Sequence, residues 1–269
     1  MKYVPKEIPE GINAPRTNVV GEFALLAGTL VALVVVAFYA LGVAAETLAV
    51  RLSPEWEAAI GARLPTANAG VEVRAGRERE VLVALLAHAP RQGYDVQLRV
   101  RCGEKDVNAF AVPGGRVVVL GGLLDAVQSE NEVAFVLAHE LGHMQNRDHL
   151  RALGRGLVLM TLVAAVGTGS DAASRLVVGS GVAVSHRFSQ RQELAADRFA
   201  AELVQRTYGH VGGITDFFGR PALREGGSWL GTHPGSKRRV LQLERLADQH
   251  GWGTGPVTPY ARAPSLCAE

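Results

Sequence analysis

His139-Glu140-Leu141-Gly142-His143 spells HExxH. On a helix, residues four apart project from one face, so both imidazoles can offer a ring nitrogen to a single zinc ion. Glu140, next to the first histidine, is then placed to take a proton from a water activated by the metal. That is the chemistry of a zinc-dependent hydrolase. Two nitrogens are too few, however, because a catalytic zinc keeps three protein ligands and leaves its fourth position to water.

Two residues compete to be the third ligand. His149 completes HExxHxxNxxH, but on a continuing helix it lies about 240° round from His143 and points away from the metal. It can ligate only if the chain turns sharply at Asn146. Glu193 lies in Ser189-Gln190-Arg191-Gln192-Glu193-Leu194-Ala195-Ala196-Asp197, a run of good helix formers. Glu193 and Asp197 share one helical face, so one carboxylate can bind zinc while the other orients a ligand histidine through its free N–H. Alone, such a pair reads as a solvated helix face. Beside HExxH, and with small Ala195 and Ala196 allowing another helix to approach, Glu193 is the favoured ligand.

These residues need elements to hold them. Ser129 with Glu132 three residues on starts a helix from Glu130 to about Asp148 that carries HExxH, and Val133, Val136, Leu137 and Leu141 give it an apolar face. Tyr94 to Cys102 alternates Val96, Leu98 and Val100 with polar residues, the pattern of a half-buried strand. Asn108–Val112 and Arg116–Leu120, joined by Pro113-Gly114-Gly115, read as a hairpin in a small antiparallel or mixed sheet. Further helices are expected at Arg77–His88, Gly122–Gln128, Gln190–Arg206 and Ser236–Gln249, with an irregular Gly- and Pro-containing tail from Gly251.

The 269 residues carry 28 Lys+Arg against 26 Asp+Glu, with no basic block, so nucleic acid is not an expected partner. Cys102 and Cys267 form no CxxC pair, which excludes a thiolate zinc knuckle and leaves a single disulfide open. Phe23–Ala45 is an uncharged apolar run long enough to cross a bilayer, and longer than the core of a signal peptide. A retained anchor is the favoured reading over cleavage after Ala45. The sparse flanking charges, Lys2, Lys6 and Arg16 before the span and Arg51 and Arg63 after it, lean toward a cytoplasmic N-terminus. A second apolar region, 156–169 resuming at 176–184, reads as buried core helices or a hairpin against the bilayer rather than a second crossing.

Four segments in order resemble the metallopeptidase family numbered forty-eight, which includes HtpX-like, mitochondrial Oma-type and CAAX prenyl endopeptidases. They are Asn108-Ala109-Phe110-Ala111-Val112-Pro113-Gly114-Gly115, HELGH at 139–143, Glu193-Leu194-Ala195-Ala196-Asp197, and Thr232-His233-Pro234 followed by Arg239. The resemblance implies an α+β, mainly helical gluzincin fold with a small sheet over the active-site helix. It implies one zinc held by His139, His143 and Glu193, with Glu140 as general base and acid, Asp197 behind a ligand, and His233 facing the substrate carbonyl. Gln190 departs from the arginine that many members carry there, which leaves a local salt bridge open. The single N-terminal span brings the chain nearer to Oma-like and short membrane-anchored bacterial members than to multi-span ones.

The layout expected is a leader over 1–22, the anchor over 23–45, a linker over 46–70, the metallopeptidase domain over 71–250 and the tail over 251–269. Substrates would be unfolded or membrane-proximal proteins, held extended beside Asn108, Ala109, Phe110 and Ala111 if that strand is the sheet edge. The lipid bilayer is the other partner, at a bacterial inner membrane with the catalytic domain outside the cytoplasm. A rival reading is a membrane-tethered scaffold or chaperone whose zinc only stabilises the fold.

Overall fold

A computed structural model describes residues 18–64, 70–90, 93, 95–165, 188–224, 228–234 and 236–267. Its fold is α+β and mainly helical. Helix α1 (Val19–Ala49) begins at Asn18, whose side chain accepts from the Gly21 N–H at 3.1 Å. The helix is apolar all round and exposed along its length, and it is long and apolar enough to cross a membrane.

Helix α2 (Pro54–Arg63) starts at a Ser53 cap with Pro54 in the first turn, where a missing N–H costs nothing. It docks on the hairpin turn so closely that a Cβ on Gly61 would fall 1.8 Å from the Pro113 carbonyl oxygen. Gly114 and Gly115 in that turn have φ of 84° and 81°, which only glycine adopts readily.

Strands β1 (Val71–Glu72), β2 (Gln97–Arg101), β3 (Ala109–Val112) and β4 (Arg116–Leu120) form one mixed sheet in the order β1-β2-β4-β3. β2 runs parallel to β4, with Leu98 opposite Val117, and the other two pairings are antiparallel. β3 is therefore an edge strand. β1 was absent from the expectation because two residues carry no readable alternation.

The inward face of the sheet, Leu98, Val100, Val117 and Val119, packs against α3 (Arg77–His88) and the HExxH helix in one core. Helix α4 (Gly121–Ala126) leads from β4 to that helix, α5 (Glu130–Gln145). Ser129 caps α5 by accepting from the Glu132 N–H at 3.2 Å, while the Glu132 carboxylate accepts from the Gln128 N–H. The expected helix to about Asp148 is interrupted. α5 stops at Gln145, Arg147 takes φ of 55°, and α6 (Asp148–Ala165) leaves in a new direction.

Arg147 holds the corner by donating to the Ala49 and Leu52 carbonyls, which turns α6 antiparallel to α1 with Gly154 beside Ala45 and Arg155 beside Glu46. Residues 156–165 of the second apolar region fall in α6, and the rest of it, 166–169 and 176–184, with the expected core helices or hairpin, lies outside the described residues.

α7 (Gln190–Tyr208) opens with a full capping box between Ser189 and Gln192 and ends at Gly209 in the left-handed region. It crosses α5 where Gly142 lacks a side chain, so that a Cβ there would stand 3.1 Å from the Ala196 Cα. Ala196 is buried at this crossing, whereas Ala195 faces outward. Short helices α8 (Pro221–Arg224) and α9 (Trp229–Thr232) lead to α10 (Ser236–His250). The tail is irregular as expected, yet it is strapped down. Pro259 bridges to Ser129, the Tyr260 hydroxyl donates to Glu78, and Cys267 is disulfide-bonded to Cys102.

Candidate metal centre

α5 delivers His139, Glu140 and His143 from its buried face, α7 crosses it and delivers Glu193 and Asp197, and His233 follows α9. One donor atom from each of His139, His143, Glu193 and His233 lies within 4.8 Å of all the others, and all four residues are buried. Nε2 of His139 and Nε2 of His143 face each other at 3.1 Å. Glu193 Oε1 is 3.4 Å from the His143 Nε2 and 3.1 Å from the His233 Nδ1. Of the two third-ligand candidates, the fold brings Glu193 to the histidines. His149 instead bonds Glu57 of α2 through Nε2 at 2.9 Å. The chain does turn sharply after Asn146, as ligation by His149 required, but the turn carries that side chain away from the cluster.

The outer nitrogens of the two α5 histidines are held by carboxylates. His139 Nδ1 lies 3.0 Å from Asp197 Oδ1, the partnership anticipated for Asp197. His143 Nδ1 lies 2.9 Å from Asp148 Oδ2. Each contact fixes a tautomer that leaves Nε2 free to coordinate. Asp148 was not foreseen, because on an uninterrupted helix the residue five after His143 would lie off its face. Arg239 appeared in the sequence only as a motif match. In the fold it is buried, grips Asp197 with Nε and Nη2 at 2.7 Å each, reaches Glu193 Oε2 with Nη1 at 2.7 Å and donates to the His233 carbonyl. One guanidinium thereby ties α7, α10 and the His233 loop together.

Aromatic rings complete the cage. Phe188 stacks on His143 at 3.9 Å and Trp229 stacks on His233 at 3.9 Å. Asn108 reaches across by donating to the Ser228 hydroxyl at 2.7 Å and accepting from its neighbour's Ala109 N–H, which ties β3 to α9. Ala109 and Ala111 are buried, and Phe110 is half-buried on the edge strand. Gln190 accepts from the Arg238 guanidinium at 3.0 Å, a bond that an arginine at position 190 could not make.

The electrostatics follow from burial. Desolvation lifts the Glu140 carboxyl to about 8, against the charge of His143 and a weak contact from the Ala111 backbone, and no side chain among the described residues hydrogen-bonds its oxygens. Burial also lowers His139 well below the usual histidine range and His233 to about 4, with Arg239 adding to the fall. His143 goes the other way. Burial opposes its charge, but the bonds to Asp148 and Glu193 and the nearby carboxylates outweigh that and raise it to about 9. Against a desolvation that works in the opposite direction, hydrogen bonds to His143 and His233 and the neighbouring imidazoles hold Glu193 ionised far below the usual carboxylate range. A buried set of two or three imidazoles and a carboxylate held anionic is a ligand set for a divalent metal.

The sequence model of peptidase family M48 matches residues 74–247. The metalloprotease LoiP of Escherichia coli is 38% identical over 148 residues, 52% of this chain and 58% of that protein. The metalloprotease YcaL of the same organism is 30% identical over 152 residues, 53% of this chain and 59% of YcaL. Bovine mitochondrial metalloendopeptidase OMA1 is 27% identical over 168 residues, 54% of this chain and 31% of OMA1. The chain thus matches less than two thirds of the length of each of these relatives. The family match covers both histidines, Glu193, His233 and Arg239, and with the geometry of the centre it leads to one conclusion: the chain belongs to peptidase family M48, a family of zinc metallopeptidases.

Proposed function

We propose that this chain is a membrane-anchored, zinc-dependent endopeptidase that hydrolyses peptide bonds of unfolded or membrane-proximal proteins. The observation that carries the reading is Glu140, a fully buried carboxyl with no side-chain hydrogen bond to either oxygen, beside a cluster of metal donors. Leaving such a group unpaired costs several kcal/mol and is kept where chemistry needs it. The donors fit zinc. Zn–N bonds of about 2.0–2.1 Å in a tetrahedron separate donor atoms by about 3.4 Å, against 3.1 Å between the two Nε2 atoms and 3.4 Å from His143 to Glu193.

His139, His143 and Glu193 would hold the ion, which when bound supplies Lewis acidity to the scissile carbonyl and to water. Glu140 takes the proton of the attacking water and delivers it to the leaving amine. A nearby divalent charge brings its carboxyl down from about 8, toward the working range of a general base. Asp148 and Asp197 keep both histidines in the coordinating tautomer. His233, kept neutral by burial, directs Nε2 toward Glu140 at 3.7 Å; with Glu193 drawn to the ion and no longer holding the proton at Nδ1, the Nε2–H tautomer would donate to the oxyanion.

Substrate adds as a strand to β3, beside Asn108, Ala109, Phe110 and Ala111, where edge position leaves backbone groups to pair. Main-chain recognition of this kind tolerates many sequences. α1 anchors the enzyme and confines it to substrates near the bilayer. The Cys102–Cys267 bond supports a catalytic domain facing an oxidising compartment, hence outside the cytoplasm of a bacterial inner membrane with the N-terminus inside.

His233 as a fourth donor favours one second reading, a closed structural zinc in a tethered scaffold or chaperone. Such a site has no use for a buried Glu140 without a side-chain hydrogen bond. The purified protein should contain about one zinc per chain and cleave casein, with cleavage lost to a chelator and restored by zinc. A metal-free preparation that cleaves undiminished would overturn the reading.

A further inference from the structure

A cavity of about 770 Å³ opens beside the metal centre, between the C-terminal end of α1, the first turns of α6 and the start of α7. That volume lies within the range of small-molecule pockets, about 300–1,000 Å³. Its walls include Glu46, Asp148, Phe188 and three arginines, Arg151, Arg155 and Arg191. Arg151 and Arg155 are four apart on α6 and share its face.

The charge balance inside favours an anion, because both carboxylates are already engaged. Glu46 holds Arg155 at 2.5 Å, and Asp148 accepts from His143 at 2.9 Å and from Gln192 at 2.8 Å. Among the described residues the guanidinium groups of Arg151 and Arg191 have no partner, and the Arg151 Nε is buried without a hydrogen bond. A buried N–H without an acceptor costs free energy that a ligand oxygen restores, and guanidinium forks suit phosphate oxygens.

The depth of the cavity identifies the source of such an anion. Glu46 is the first charge after the apolar run of α1, so the mouth lies where a spanning α1 meets the lipid head groups. Trp56, exposed on the following helix α2, is a residue type that seats at this boundary. We infer that the cavity binds the phosphate of an anionic phospholipid head group, with Arg151 and Arg191 as its principal donors and Arg155 closing the site from α6. The inference rests on α1 as a bilayer anchor and is independent of peptidase activity.

The test titrates the full chain, purified in a detergent without phosphate, with phosphatidylglycerol and counts bound lipid by native mass spectrometry. Phosphatidylcholine and inorganic phosphate are run in parallel. One phosphatidylglycerol per chain is expected, held more tightly than phosphatidylcholine. Arg151→Gln and Arg191→Gln should each weaken it about fivefold, the contribution of one arginine at a lipid surface. Arg151→Lys, which keeps the charge but not the buried Nε–H, should fall between Arg151→Gln and the parent, and Arg245→Gln, exposed on α10, should retain all of the affinity. Arg191 is itself exposed, so its variant folds whatever becomes of Arg151. Equal affinity in every variant, or no preference over phosphatidylcholine, overturns the site. Saturable inorganic phosphate with no retained lipid overturns the lipid as its source.

Discussion

The Asp148 carboxylate stands 2.9 Å from the Nδ1 of His143, a residue only five positions earlier, because the chain reverses at Arg147 between them. Without that left-handed residue Asp148 would continue round α5. With it, the acidic side chain doubles back to orient the ring of His143, a ligand in the proposed zinc site, and Gln192 of α7 secures its other oxygen at 2.8 Å. The Asp197–His139 contact does the same from a different helix.

The two carboxylates should therefore be equivalent in effect. Asp148→Ala and Asp197→Ala are each expected to lower zinc affinity about 10- to 100-fold, as measured by competition with a chromophoric chelator. Unchanged affinity in Asp148→Ala would remove it from the centre. Asp197→Ala should also lower the melting temperature, since it leaves the buried Arg239 without its bidentate partner.

Glu140→Gln is expected to cut casein cleavage by about 100-fold or more at unchanged zinc content, because Glu140 moves a proton and does not coordinate. The metal-free variant should melt no lower than the parent, as the amide replaces a buried carboxyl with no side-chain hydrogen bond and can keep the contact with the Ala111 backbone. Loss of zinc would instead reassign Glu140 as a ligand.

Glu193→Ala and His149→Ala separate the metal set from its surroundings. The first should lose most of its zinc on dialysis and all useful activity. The second should keep its zinc yet lose stability by about 1–3 kcal/mol, because His149 bonds the buried Glu57 of α2. Thermal melting in detergent, followed by zinc analysis, distinguishes the two. A metal-free His149→Ala protein with an active Glu193→Ala counterpart would reverse the assignment.

In the metal-free protein His143 holds its proton up to about pH 9, whereas its ordinary value is 6.5. Its folded value is raised, so its contribution to stability is complete below pH 6.5 and is lost as pH rises through 9. Glu140, raised to about 8, acts in the same direction over that window. The melting temperature of the metal-free protein should fall between pH 6.5 and 9 and level off above. Zinc uptake at pH 7 should release up to about two protons, one from His143 and one from Glu140 as the metal charge lowers its carboxyl, read from the dependence of binding heat on buffer ionisation enthalpy. Uptake without proton release would contradict the Asp148 and Glu193 bonds to that ring.

Cys102 and Cys267, 165 residues apart, close a long loop, and the closure restricts the unfolded chain. Cys267→Ser is expected to cost about 2–4 kcal/mol by that argument. In intact cells both cysteines should resist maleimide until a reductant is added. Labelling without reduction would place the domain on the reducing side of the membrane.

What the sequence determined by itself was the chemistry and the helices that carry it. HExxH has a fixed spacing on one helical face, Ser129 and Ser189 mark where the two carrier helices begin, and an uncharged run the length of a bilayer needs no partner to be recognised. The pairing of Glu193 with Asp197 was legible because both lie within one turn of one helix. Local periodicity and capping are properties of neighbouring residues, so they survive without a fold. Tertiary structure alone put Glu193 rather than His149 beside the two histidines, because both were compatible with the spacing and only the α5–α7 crossing at Gly142 and Ala196 brings Glu193 to them. It also decided the roles of Asp148 and Arg239, the parallel pairing of β2 with β4, and the disulfide of the tail. Each of these depends on where a chain reversal points or on contacts between residues far apart in sequence. The positive φ at Arg147 goes with the capture of its guanidinium by the carbonyls of Ala49, the last residue of α1, and Leu52 just after it, and no pattern local to residues 139–149 contains that information.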